Sequence, residues 1–403
     1  MKRNHTWIGS TCLLIVSVAG IATATGQTVS VHDAKTFRDA LARARPGQRI
    51  ELAPGEYDGG ITAANLHGVP DRPIVITGSD PQRPPVIKGG NEGLHLVNPQ
   101  HVEIRDIIVT GARHNGINID DGGNMQVTAH HVTLRHIRVH DLDRNGNHDA
   151  VKLSGVRDFL VTGCVFERWG ASSGSGVDMV GCRQGRIEQS VFRHQPATAT
   201  AANTGIQAKG GTRDIVIRRC RFEHAGGRSI NIGGSTGLPF FRPPLDTWDG
   251  PRWEARAITI EGNTFVGSGA PVAFVGVDGA VVRFNTIYHP GKWVLRILQE
   301  TTAPGFVPSR AGVFTDNIVV FRSDQWGQGG CNIGANTDPG TFQFARNFWY
   351  CSSAPGKSQP RLPTDEIGGV YGVDPQLTAP GQGDFKPRPG SPAMKAGAFA
   401  LKD

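Results

Sequence analysis

Ile260-Glu-Gly-Asn263-Thr-Phe265 is followed 22 residues later by Val282-Arg-Phe-Asn285-Thr-Ile287. Each segment alternates apolar and polar residues, as a strand with one buried face does. Each also sets an Asn two positions before a large apolar residue. The pattern extends outward in both directions. Ile217-Arg-Arg-Cys220-Arg-Phe222, Ile187-Glu-Gln-Ser190-Val-Phe192 and Leu160-Val-Thr-Gly-Cys164-Val-Phe166 precede it, and Phe344-Ala-Arg-Asn347-Phe-Trp349 follows. Aligned, they give one column: Asp106, His136, Cys164, Ser190, Cys220, Asn263, Asn285, Asn317 and Asn347. Its steps run from 22 to 43 residues, the repeat length of a solenoid whose longer coils carry inserted loops.

In stacked parallel coils a turn recurs one strand spacing, about 4.8 Å, above the last. An inward Asn at each turn can bond to the next Asn and to turn backbone, so buried polar groups stay paired. Cys164, Ser190 and Cys220 fit the same slot as small packing residues. Two coils separate the cysteines, roughly 9–10 Å, too far for a disulfide. The expected fold is therefore all-β, a right-handed parallel β-helix. Thr36 to Ala44, with Phe37, Ala40 and Leu41 in one stripe, is expected to form a short helix capping its open end.

A second strand recurs in the same coils, as in Ala150-Val-Lys152-Leu-Ser-Gly155, Gly176-Val-Asp178-Met-Val-Gly181 and Gly205-Ile-Gln207-Ala-Lys209-Gly210. Its second and fourth positions are mostly apolar and point inward, so the third points out. That position reads His95, Asn118, Lys152, Asp178, Gln207, Asn231, Ala273, Arg296 and Asn332. A row of amides and charges suits sugar and carboxylate recognition; a solvated sheet face is the plainer alternative. Three features adjoin it. Asp141-Leu-Asp143-Arg-Asn145-Gly-Asn-His148-Asp149 spaces oxygens as a calcium loop does, but Lys152 stands where an EF-hand needs Glu. Asp141, Asp143, Asn145 and Asp149 are thus candidate ligands, or the segment is an Asn/Asp-rich turn. An insert at about 233–256 carries Phe240, Phe241, Arg242, Trp248 and Trp253, which could stack on sugars and meet a carboxylate, or plug the loop onto the helix. Finally, Glu300 follows Arg296 and opens a loop toward Arg310.

Lys2 and Arg3, the apolar run Cys12 to Ile21 and Ala22-Thr-Ala24 read as a signal peptide over residues 1–24, too short for a confident membrane span. Secretion or periplasmic export is expected, with residues 25–403 a single domain capped at about 33–60. Losing Lys2 and Arg3 lowers the formal charge from +7 to +5, a modest basic balance that suits an acidic glycan. An exported chain without a dense Lys/Arg tract argues against nucleic acid. A monomer is expected. Five cysteines remain, so no complete disulfide framework is implied, though Cys331 and Cys351 are candidates to pair. Zinc spacings such as CxxC or HExxH are absent.

The start, Phe37-Arg-Asp-Ala-Leu41 then Pro46-Gly-Gln-Arg-Ile-Glu-Leu-Ala-Pro-Gly-Glu-Tyr57, resembles the capping helix and first coil of chondroitinase-B-like and alginate lyases. Asp374-Pro-Gln376 and Pro389-Gly-Ser-Pro-Ala393 resemble the closing segment of such helices. The resemblance spans nearly the whole chain after residue 24. It implies a polysaccharide lyase with a calcium held by Asn and Glu against the uronate, and a Lys and an Arg on adjacent coils moving protons. Gln207-Ala-Lys209 and Arg228 fall near those positions. The family's Glu-x-Glu ligands are absent, and Asn231-Ile-Gly-Gly234 stands in place of its Arg-His-Gly.

The leading expectation is β-elimination on a uronate-containing polysaccharide. Lys209 or Lys152 would be the base if its pKa is lowered, with Arg296, Arg228 or calcium neutralising the carboxylate. Asp178 is a further catalytic candidate; Gln207, Asn231, Arg242, His148, Glu300 and Trp248 are candidate substrate contacts. A glycoside hydrolase would instead use Asp178 with Asp149, Asp121 or Glu300. A uronate C5-epimerase, using His148-Asp149 beside Lys152, and a non-catalytic glycan-binding β-helix are the other readings.

Overall fold

The computed structural model describes Met1 and residues 26–126, 128–194 and 203–402; the leader read at 1–24 otherwise lies outside them. Among these residues the chain coils through three long sheets of thirteen, twelve and ten strands, whose order skips two strands at every step but those at the two ends of the helix. Neighbouring strands pair in parallel, rung on rung. This is a parallel β-helix.

Inward side chains stack in files. Phe192, Phe222 and Phe265 lie ring over ring, with centroids 4.8 Å apart at each step. All three are fully buried, each contributing roughly 1.5–3 kcal/mol of transfer free energy. The polar file forms a continuous ladder. Cys220 N–H donates to Asn263 Oδ1, Asn263 N–H to Asn285, Asn285 N–H to Asn317 and Asn317 N–H to Asn347, each at 2.9 Å. Glu366 ends it, accepting from Asn347 N–H at 3.0 Å and Asn347 Nδ2 at 2.7 Å.

The file's first two members need correction. Asp106 and His136 are left-handed turn residues, with φ of 56° and 51°. They stand where Gly163 and Gln189 stand in later coils. The buried slots beside them hold Ile107 and Ile137. All five described cysteines are buried free thiols. Cys331 and Cys351 sit on different sheets and do not pair.

The cap helix runs Ala34–Ala42. Asp33 caps its N-terminus in a reciprocal box with Thr36, while Phe37, Ala40 and Leu41 bury onto the first coil. The insert is held to the helix body by two buried carboxylates. Glu254, fully buried, accepts from Gly210 N–H (2.9 Å), Thr236 N–H (2.9 Å), Thr236 Oγ1 (2.7 Å) and Thr301 Oγ1 (2.5 Å). Asp121 takes Arg242 through both oxygens, at 2.7 and 3.0 Å. Close approach fixes Gly181 (φ 61°), where a Cβ would lie 2.2 Å from that of Arg242.

Candidate active site

The ten-stranded sheet brings the outward residues into one file. His95 pairs with Asn118, Asn118 with Lys152, Lys152 with Asp178, Asp178 with Gln207 and Gln207 with Asn231. Ala273, Arg296 and Asn332 continue it. Asp149 joins from two residues before the Val151–Ser154 strand. Its Oδ1 accepts from Ser175 N–H at 2.7 Å, which turns Oδ2 toward Lys152 Nζ at 3.6 Å.

The centre of the file is a charge quartet. Lys152 donates to Asp178 Oδ2, and Lys209 Nζ lies 3.4 Å from the same oxygen. The two carboxylate side chains are only 2% and 1% exposed, beneath lysines at 21% and 14%. Among the described residues Asp178 Oδ1 is buried without a hydrogen-bond partner, a costly arrangement that structures rarely keep without use. Burial, then the Asp178 charge, pushes the Asp149 carboxyl up to about 7, against the pull of both lysines. Burial also opposes ionisation of Asp178, but Lys152 and Lys209 outweigh it and hold its pKa below the usual range. For Lys152, burial is overcome by the charges of Asp178 and Asp149, so its pKa rises. Lys152 is therefore a firmly protonated cation, which corrects its expected role as a base with a lowered pKa.

Lys209 opens onto a cavity of about 670 Å³, lined also by Gln207, Asn231, Arg228, Arg296, Lys292, Trp293 and Glu300. Arg228 donates to Asn231 Oδ1 (3.0 Å) and Glu300 Oε1 (2.8 Å). Arg296 donates to Asn332 Oδ1 (2.9 Å) and lies over the Trp293 ring at 4.6 Å, with Lys292 4.3 Å from that ring's centroid. Burial, then the Arg228 charge, draws the Arg296 pKa down. Cationic groups are thus crowded around one space. Lys292 and Trp293 were missed by the sequence reading, because they precede their strand and belong to no file.

Other candidates lie elsewhere. Arg242 is consumed by Asp121. Trp248 donates to Pro251 O at 3.2 Å and packs edge-on against Trp253 at 4.8 Å. With Phe241 and Trp253 buried, the insert's aromatics mainly plug it onto the helix, and Phe240 alone of the four is largely exposed. His148 Nε2 donates to Asn145 O at 2.6 Å and its ring stacks on His114. The calcium set does not assemble. Asp141 is bound by Arg168 at 2.5 and 2.8 Å, Asp143 closes a turn on Asn145 N–H at 2.9 Å, and Asp149 is buried in the quartet. The one described group of three converging ligand residues is His101, His130 and His131. Asp141, Asp143, Asn145 and Asp149 therefore do not fit a calcium ion.

Comparison with known proteins agrees on the fold. Residues 115–240 match the family described as right handed beta helix region. No curated protein matches the sequence. Among solved structures, an alginate lyase from Paenibacillus sp. str. FPU-7 aligns at 18% identity and a TM-score of 0.53, over 77% of this chain and 99% of that one. A pectate lyase aligns at 14% identity and 0.49, over 76% and 73%. A lacto-N-biosidase from Eubacterium ramulus aligns at 12% and 0.46, over 83% and 64%.

Proposed function

Taking the right-handed parallel β-helix as the frame, we propose that this protein is a polysaccharide lyase that cleaves a uronate-containing acidic polysaccharide by β-elimination. The observation that carries the reading is the cavity itself. Among the described residues Lys209, Arg228, Lys292 and Arg296 line it against a single carboxylate, Glu300. Arg228 and Arg296 would pair with the uronate carboxylate and stabilise the charge that develops at C5. Lys209 would take the C5 proton. The released electron pair forms the C4–C5 double bond as the bond from C4 to the leaving oxygen breaks. That oxygen then takes a proton from Lys209. Handing on the proton it took from C5 returns Lys209 to its starting form, so one side chain serves first as base and then as acid. No step is routed through calcium.

A hydrolase needs two carboxylates facing the scissile bond. Asp149 and Asp178 are buried under lysines and Asp121 is held by Arg242, which favours elimination. We also propose that the leader directs the chain to the periplasm or the medium, where it acts as a monomer. The test is incubation with alginate, polygalacturonate, chondroitin sulfate and heparin. Ultraviolet absorbance of a 4,5-unsaturated uronate end is expected with at least one. New reducing ends without that absorbance would indicate hydrolysis, and binding without turnover a lectin-like role; either would overturn the proposal.

A further inference from the structure

Around the corner from the active site, near the leading ends of the thirteen-stranded sheet's strands, one register position reads His130, Arg157, Arg183, Arg213 and Arg256 on successive rungs. Three of these guanidiniums line a separate open cavity of about 560 Å³, together with Gln126, Thr128, Gln184 and Asp214. At one strand spacing of about 4.8 Å, Arg157 to Arg213 spans roughly 10 Å along the helix axis.

Their charges are incompletely neutralised. Arg157 is tied to Asp158 at 2.5 Å and Thr128 at 3.0 Å, and Arg213 meets Asp214 at 3.5 Å. Arg183, between them, has no ion-pair partner among the described residues. Burial, and then the charges of Arg213 and Arg157, lower its pKa, the sign of a cation held against like charges. His130 adds no positive charge at neutral pH, because burial and then Arg157 push its pKa down to about 4. Among the described residues Asp214 is the only carboxylate in the lining.

We propose that this arginine stripe is a second, non-catalytic binding site for an acidic polysaccharide, which lies along the helix axis with its carboxylates or sulfates on Arg183 and Arg213. This deepens the lyase reading and rests on it for the identity of the polymer. The amides and hydroxyl of Gln126, Gln184 and Thr128 offer partners to sugar hydroxyls. Among the described residues no Phe, Tyr or Trp lines the cavity to stack a base, which favours a glycan over single-stranded nucleic acid. A stripe apart from the active site would keep the enzyme on its polymer between cleavages, the advantage of a tethered second contact.

The test is affinity electrophoresis of the full chain in gels containing alginate, polygalacturonate, heparin or single-stranded DNA. The double variant Arg183→Gln/Arg213→Gln keeps most of each stem, and Lys209→Ala serves as the active-site control. Glycan retardation should weaken roughly tenfold in the double variant, as expected for losing two charge-assisted contacts. Its turnover of a short oligosaccharide and its melting temperature should stay at the wild-type values. Lys209→Ala should lose turnover and keep retardation. Unchanged retardation in the double variant, no retardation of the wild type by any glycan, or stronger retardation by DNA would each overturn the stripe. Retardation that depends on Arg183 and Arg213 in a protein that never yields an unsaturated product would instead sink the lyase reading and leave the stripe standing.

Discussion

Glu254 is the sharpest place to test how the insert is held over the active-site sheet. Its two oxygens each serve one backbone amide and one hydroxyl. Oε1 accepts from Thr236 N–H and Thr301 Oγ1, and Oε2 from Gly210 N–H and Thr236 Oγ1. A Gln at this position can put its carbonyl on only one amide. Its NH₂ then confronts the other amide, while the hydroxyl on that side can rotate and accept. One buried N–H is left without an acceptor, at a cost of about 1–3 kcal/mol. Ala leaves both amides unpaired, roughly doubling that loss. Read as local opening, about 1–3 kcal/mol is a 5- to 150-fold loss of hydrogen-exchange protection. Glu254→Gln should therefore deprotect either Gly210 or Thr236, and Glu254→Ala should deprotect both. Amides of the distant Asn285 ladder should keep their rates. Since Gly210 follows Lys209 directly, catalysis should fall alongside protection. Protection at Gly210 and Thr236 within threefold of wild type in the Ala variant would refute this account of the anchor.

Three further predictions concern the site and its scaffold. Lys209→Ala should lower kcat by roughly 10²–10⁴-fold, the usual loss for a positioned acid–base group, with KM moving far less, as measured by initial rates of unsaturated-product formation. Asp149 binds its proton more tightly folded than unfolded. Its contribution to stability is therefore fully present below the ordinary carboxylate pKa and is lost as pH rises through about 7. Asp149→Asn should flatten the part of the melting temperature's pH dependence between about pH 4 and 7 that this group supplies. Asn317→Ala should cost about 2–4 kcal/mol in denaturant unfolding, because it strips acceptors from Asn285 N–H and Nδ2 and a donor from Val282 O. A loss below 0.5 kcal/mol, the level of ordinary surface changes, would show the ladder to be ornamental.

The reading of the fold succeeded where residue type and period agreed. In Gly176-Val-Asp178-Met-Val-Gly181 and its counterparts, glycine marks the turn and period two assigns each side chain to a face. The file from His95 to Asn332 was legible for that reason. It slipped at Asp106 and His136, where the left-handed turn residue and the buried slot are adjacent and either is a plausible polar position. Ile107 and Ile137 fill the slot because the first coils pack apolar residues where later ones use Asn.

Alternation along each strand thus settled in advance which residues face outward and which of them become vertical neighbours, since parallel stacking at constant register only repeats a local rule. It did not settle what those neighbours do. That Asp149 is turned under Lys152 by Ser175, that Lys152 is held protonated by Asp178 and that Arg242 is spent on Asp121 all depend on contacts between residues far apart in the chain. Such contacts have no period to read. Their charges and burial exist only once the coils have closed on one another, so the chemistry of the site belongs to the tertiary structure.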